Sequence, residues 1–155
     1  MNTKGFTLVE LLIVVAVTTI LLALASINFS DYNVKYNIEK QARQMEADFD
    51  NVRLTAIQQK KRYDIRLSAK AYTFAVYSSE FDATGTTVST TSVPYQIQSD
   101  NSSISFDSRG LVTNAASQKV WLLPTGTDAA YDSLFITTAK TNIGKRQNDG
   151  TCTLK

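Results

Sequence analysis

Hydrophobic and polar positions change their spacing twice along the chain. From Phe6 to Ile27 runs an apolar stretch of 22 residues in which Glu10 is the only charge. A helix of that length spans roughly 33 Å, enough to cross one bilayer. Further on, Ile38, Ala42, Met45, Phe49, Val52 and Ala56 recur at alternating steps of four and three, with charged and amide residues between them. That spacing predicts an amphipathic helix with one core-facing stripe. After Lys60-Lys61-Arg62 the pattern shortens into aromatic and β-branched runs. These predict strands at Tyr63–Ala69 and Ala71–Ser78, joined by a tight hairpin at Lys70, and at Pro94–Gln98, Ser103–Phe106, Lys119–Leu123 and Ser133–Thr138. The tail around Ile143 and Thr151–Leu154 completes the set, while the small polar residues of Ala83–Ser92 and Thr113–Gln118 predict loops. No helical pattern intervenes among the strands, so the sheet is expected to be antiparallel. The fold class is therefore α+β: a long N-terminal α-helix, membrane-spanning in its first half and amphipathic in its second, packed on a C-terminal antiparallel β-sheet domain.

Glu10 sets the main problem. An ionisable group inside a membrane segment costs several kcal/mol and ordinarily has an assigned partner. Lys4 before the run favours a cytoplasmic start and sends the remainder of the chain across the membrane. A second reading is a cleaved secretory signal, because Ala23-Leu24-Ala25 has the small-x-small form found before such cuts. Against it stand Glu10, for which such a signal has no use, and a helical pattern that does not stop at Ser26. Asn28 to Asn33 are poor helix formers, and Ser30 or Asp31 is a candidate cap for a second helical segment.

Composition narrows the chemistry. Sixteen Lys and Arg against fourteen Asp and Glu leave a net charge of +2, too little to imply a nucleic-acid or lipid-headgroup partner by itself. Histidine is absent and Cys152 is the only cysteine. The usual general base, most metal sites and any intramolecular disulfide are thereby removed, and Cys152 reads as a small buried hydrophobe. No phosphate loop, dinucleotide fingerprint or calcium-loop spacing occurs. Asp48 and Asp50 face different directions on a helix and make a poor acid pair. The expectation is a non-enzyme with no cofactor and no metal.

Gly5-Phe6-Thr7-Leu8-Val9-Glu10 followed by an unbroken apolar helix resembles the class III signal of type IV pilins and type II secretion pseudopilins. The resemblance implies that a membrane prepilin peptidase cuts after Gly5 and methylates the new N-terminal Phe6. It further implies that Glu10 pairs with the Phe6 amine of a neighbouring subunit as helices pack into a filament. Four later features are similar in order and spacing to the GspH/FimT family of minor pseudopilins and minor pilins: Ser105-Phe106-Asp107-Ser108-Arg109-Gly110, Val120-Trp121-Leu122-Leu123, Phe135-Ile136-Thr137 and Gly144-Lys145-Arg146. Ile27 departs from the pattern, since many pilins have a proline in that region, and so does the unpaired Cys152.

The resulting organisation is a leader peptide at 1–5, a transmembrane and assembly helix at 6–28, an amphipathic helix at 29–62 and a sheet domain at 63–155. The resemblance implies a minor pilin or pseudopilin that joins a type IV pilus or a secretion pseudopilus through its helix, at the initiating tip complex. Its partners would be the prepilin peptidase, other pilins or pseudopilins, the inner-membrane assembly platform and membrane lipid. It would sit as a single-pass protein of the bacterial inner membrane with a periplasmic C-terminal domain before entering the filament. Two basic groups complete the inventory. Lys60, Lys61 and Arg62 are expected to complement the carbonyl end of the helix dipole. Lys140, Lys145, Arg146 and Lys155, with Asp149 as the sole acid among them, give a local +3. That patch supplies the alternative reading, a minor pilin that contacts DNA phosphates for uptake.

Overall fold

The computed structural model describes residues 5–147 and 151–154. One helix, α1, covers Leu8–Gln59, and nine strands follow: β1 Tyr63–Ser68, β2 Ala71–Val76, β3 Thr86–Ser92, β4 Gln96–Ser99, β5 Ser103–Phe106, β6 Ser117–Leu123, β7 Ser133–Thr137, β8 Thr141–Arg146 and β9 Cys152–Leu154. The chain forms two compact units, residues 1–35 and 36–155.

In the first unit, the helical residues from Leu8 to Leu24 are all exposed. The segment is long and apolar enough to cross a membrane. Its two threonines hide their hydroxyls within the helix, Thr18 Oγ1 donating to Val14 O and Val15 O at 2.9 and 3.0 Å and Thr19 Oγ1 to Val15 O. In hydrocarbon, where water offers no alternative partner, such back-bonding leaves an apolar exterior. Ser30 and Asp31 lie inside α1 and start no second helix. Extending a formed helix through weak formers costs a few tenths of a kcal/mol per residue, far less than nucleating another.

The second unit contains the core. All six stripe residues are buried, five of them completely: Ile38, Ala42, Met45, Phe49 and Ala56. Two antiparallel sheets, rather than one, carry the remaining core, with strand orders β3-β2-β1-β5 and β4-β6-β7-β8-β9. Alternate strand positions point inward, as at Gln118, Val120 and Leu122 of β6. Phe49 meets Tyr72 edge-on at 5.7 Å between ring centres, and Tyr72 meets Phe74 at 5.5 Å. Polar groups tie the helix down. The Gln41 amide donates to Tyr95 O and accepts from Tyr95 N, both at 3.0 Å. Glu39 Oε1 accepts from Ala130 N at 2.7 Å, and Arg53 Nη1 donates to Ala139 O at 3.0 Å. Asp48 accepts from the Tyr72 hydroxyl, whereas Asp50 forms an ion pair with Arg53 at 3.6 Å, so the two carboxylates do face apart.

The hairpin at Lys70 forms with Ser68 opposite Ala71. Thr86–Ser92, read as loop, is instead an edge strand on β2, its register running from Ala71↔Ser92 to Val76↔Thr86. Its side chains are exposed apart from one of intermediate exposure, so no apolar alternation marks it, and the β-branched threonines are held by ladder pairing. Cys152 is half-buried on β9 rather than enclosed.

Candidate functional site

The N-terminal candidate site is built on a helix cap. Gly5, Phe6 and Thr7 precede the helix. The Thr7 hydroxyl accepts a hydrogen bond from Glu10 N at 3.2 Å, and Thr7 O accepts the first helical bond from Leu11 N at 3.2 Å. Thr7 is thus the N-cap and Glu10 the third helical residue, the spacing of a capping box, of which the Thr7 half is formed. This role of Thr7 was missed in the sequence reading, although Thr-x-x-Glu before an apolar run is its signature. The cap settles where the helix begins and puts the Glu10 carboxylate in its first turn, beside the positive pole of the dipole.

Among the described residues the Glu10 carboxylate has no ion-pair partner, and Glu10 is exposed. Phe6 is 79% exposed. A Cβ built on Gly5 would meet no atom within 4 Å, so packing does not require glycine there. The cap is formed by Thr7, while among the described residues the Phe6 side chain and the Glu10 carboxylate stay exposed.

The basic residues are dispersed. Lys140 lies in the turn between β7 and β8, at the opposite end of β8 from Lys145 and Arg146. At about 3.4 Å per residue the separation is roughly 17 Å. Lys145 and Arg146 are consecutive on the strand, and successive side chains point to opposite faces. The Arg146 guanidinium lies 4.7 Å over the Trp121 ring, and its backbone N donates to Asp132 Oδ1 at 2.6 Å. Lys4, Asp149 and Lys155 lie outside the described residues.

At the helix end the expected dipole role does not hold for Arg62. Its guanidinium forms two hydrogen bonds to Asp64, at 3.2 and 3.0 Å, and lies 3.8 Å over the Tyr77 ring. A buried carboxylate opposite a fork-shaped cation outcompetes the diffuse charge of helix carbonyls. Burial pushes the Asp64 carboxyl up, but hydrogen bonds from Arg62, Tyr77 and Ser105 and the Arg62 charge outweigh it and hold the group below the usual carboxylate range. The helix is closed instead by Lys60 in the left-handed region (φ 55°) and a bond from Lys61 N to Ala56 O at 3.2 Å. Arg62 was legible as a cation but not as the partner of Asp64, two residues away on β1.

The exposed apolar helix with a capped start and the stripe-bearing antiparallel sheet unit together make an α+β fold of pilin-like class. Residues 1–26 match the prokaryotic N-terminal methylation motif. The fold is similar to that of the type IV minor pilin FimU of Pseudomonas aeruginosa, with a TM-score of 0.55 and 13% identity over 81% of this chain and 96% of that one. It is also similar to the minor pseudopilin EpsH of the type 2 secretion system of Vibrio cholerae, with a TM-score of 0.51 and 13% identity over 76% of this chain and 94% of that one. No curated protein sequence matches the chain significantly. Motif and fold agree with the resemblance to type IV pilins and pseudopilins and with an α+β architecture.

Proposed function

We propose that this chain is a structural minor pilin or pseudopilin of the GspH/FimT type, which co-assembles through its N-terminal helix into a type IV pilus or a type II secretion pseudopilus at the initiating tip complex. The observation that carries the proposal is the first unit: a capped helix whose Thr18 and Thr19 hydroxyls are bonded within it, whose apolar side chains are exposed, and whose Glu10 carboxylate has no ion-pair partner among the described residues. Such a surface is stable only in lipid or against other apolar helices. In this reading a prepilin peptidase cuts after Gly5, where no side chain obstructs entry of the backbone, and methylates Phe6. Cleavage creates an amine one helical turn from Glu10. Pairing of Glu10 with the amine of a neighbouring subunit offsets the cost of burying either charge and rewards correct register, because removing one partner of a buried pair costs about 3–5 kcal/mol.

The sheet unit then lies in the periplasm, anchored by a single pass in the inner membrane until the assembly platform passes the chain to the filament. The role is structural, not catalytic. Assembly is favoured over DNA capture because Lys140 stands apart from Lys145 and Arg146, and Arg146 is already engaged over Trp121. The mass of the N-terminal peptide, taken from protein purified out of its native membrane, tests the proposal. A peptide beginning at Phe6 with one added methyl is expected; a start at Ser26 would overturn it.

A further inference from the structure

Among the described residues, β3 is the sheet edge that the chain leaves open. The outer edge of β5 is closed by the segment that follows it. Thr113 N donates to Ser105 O at 3.0 Å, and the Asn114 amide accepts from Ser105 N at 3.1 Å and donates to Ser103 O at 2.7 Å. β4 has four residues, with Ile97 N donating to Ala69 O at 2.8 Å, and β9 has three. β3 has seven residues, ends its sheet, and carries neither charge nor proline, the residues that ordinarily blunt an exposed edge. A bulge at Val88 interrupts its register, but Ser89–Ser92 pair regularly with Phe74–Ala71.

One bond fixes which backbone groups of β3 point outward. Val93 N donates to Lys70 O at 2.9 Å, and pairs that exchange bonds with an antiparallel neighbour recur at every second residue. Thr91 and Ser89 therefore bond to β2, whereas the N–H and C=O groups of Thr90 and Ser92 face away from it. The 3.0 Å contact between the Thr90 and Thr73 hydroxyls fits this register, because side chains stand closest at the pairs that exchange no bonds.

A groove of about 230 Å³ opens where this edge meets α1, with Tyr72, Thr91, Val93 and Pro94 on its sheet side and Lys40 and Gln44 on its helix side. Lys40 is the only charged side chain lining it, and among the described residues no acid forms an ion pair with Lys40. Glu39 keeps its charge but does not line the groove, and its carboxylate accepts from Ala130 N. Asp48 does not line it either, and its carboxylate is taken by the Tyr72 hydroxyl and by Gln44 Nε2 at 2.8 Å. Lys70 Nζ, from the neighbouring turn, donates to Pro94 O at 3.0 Å. A carboxylate entering the groove meets Lys40 as its nearest free charge, and an ammonium is repelled.

We propose that β3 receives an extended segment of a different filament subunit, which adds a fifth strand to the sheet β3-β2-β1-β5 and places an aspartate or glutamate against Lys40. Main-chain bonds to Thr90 and Ser92 supply the affinity, and the groove selects the partner. The occupant is a different chain because a tip component has no row of its own copies beside it. The inference rests on the filament reading above and gives the sheet unit a specific neighbour.

The test places photoreactive benzoylphenylalanine at Val88, 57% exposed beside the regular stretch, in the full chain in its native membranes, and identifies the cross-linked peptide by mass spectrometry. The expected adduct is a segment of another pilin or pseudopilin that contains an aspartate or glutamate. Thr90→Pro removes one outward N–H and no bond to β2, a change that edge strands tolerate, and is expected to lower the adduct yield about ten-fold. Lys40→Glu is expected to lower it several-fold and Lys40→Arg to leave it unchanged, both with an unchanged unfolding midpoint. Should Thr90→Pro lower that midpoint, the two Lys40 variants decide. No adduct, or one to a second copy of this chain, to a protein outside the filament or to a segment without a carboxylate, overturns the proposal, as does undiminished yield in a folded Lys40→Glu chain. A methylated Phe6 terminus without the adduct removes this contact alone and leaves the filament reading standing, whereas a start at Ser26 removes both.

Discussion

Gly110→Ala places a methyl group where the helix and the β5 turn nearly touch. Gly110 has φ 76°, in the left-handed region, and its N–H donates to Asp107 O at 2.9 Å to close the turn. A side chain in that region costs about 1–2 kcal/mol. The new Cβ would stand 2.7 Å from Ile57 Cδ1, 2.9 Å from Ile57 Cγ1 and 3.0 Å from Arg53 Cγ. Overpacking of this kind costs about 1–3 kcal/mol. Alanine also stiffens the unfolded chain, which returns about 0.4–1 kcal/mol, so the net loss is expected to be about 2–4 kcal/mol. Urea unfolding of the full chain in mild detergent, followed by fluorescence of Trp121, the only tryptophan, reads the change. Ile57→Val removes the atom at 2.7 Å and should lessen the cost of Gly110→Ala by about 1 kcal/mol in a double-mutant cycle, leaving the conformational part and the close contacts with the γ carbons of residue 57 and Arg53. A loss below about 0.5 kcal/mol for Gly110→Ala would refute the conformational and steric reasoning together. No relief by Ile57→Val would refute the steric part.

Lys60→Gly should raise stability by about 0.5–1 kcal/mol in the same urea assay, because glycine adopts the left-handed closing position of α1 without a Cβ penalty; a lower midpoint would contradict that account. Asp64 is held below its ordinary carboxylate range, so its contribution is fully present above the unfolded value near 4 and is lost as pH falls through the lower folded value. Unfolding midpoints measured from pH 6 downward should therefore fall in that acid range, and Asp64→Asn should flatten the fall; an unchanged slope would mean the Arg62 pairing contributes little. Glu10→Ala should still yield a methylated Phe6 terminus, while its share of assembled filaments, measured against the wild-type chain by immunoblot, should fall by about a hundred-fold, as expected for loss of one partner of a buried pair. Equal incorporation would show that Glu10 has no paired partner in the filament.

Periodicity determined much of this protein without any structure. The helix stripe from Ile38 to Ala56 and the strands with apolar alternation were legible because each buries one face and local spacing records which face that is. The N-terminal candidate residues stand in one short segment, where the charge of Glu10 within an apolar run is visible in the sequence and Gly5 and Phe6 are marked by the resemblance of the segment to a pilin signal. Thr7 was equally local, and its capping signature was present but unread. Tertiary structure alone decided the rest. The edge strand Thr86–Ser92 has solvent on both faces and shows no alternation, so only pairing with β2 makes it a strand. The division into two sheets depends on long-range register, which no local window contains. The cations Lys140, Lys145 and Arg146 lie close together in sequence, yet the extended β8 separates the first from the others and the pleat sends the last two to opposite faces. Local patterns record what each element buries, whereas the contacts between elements depend on the folded geometry.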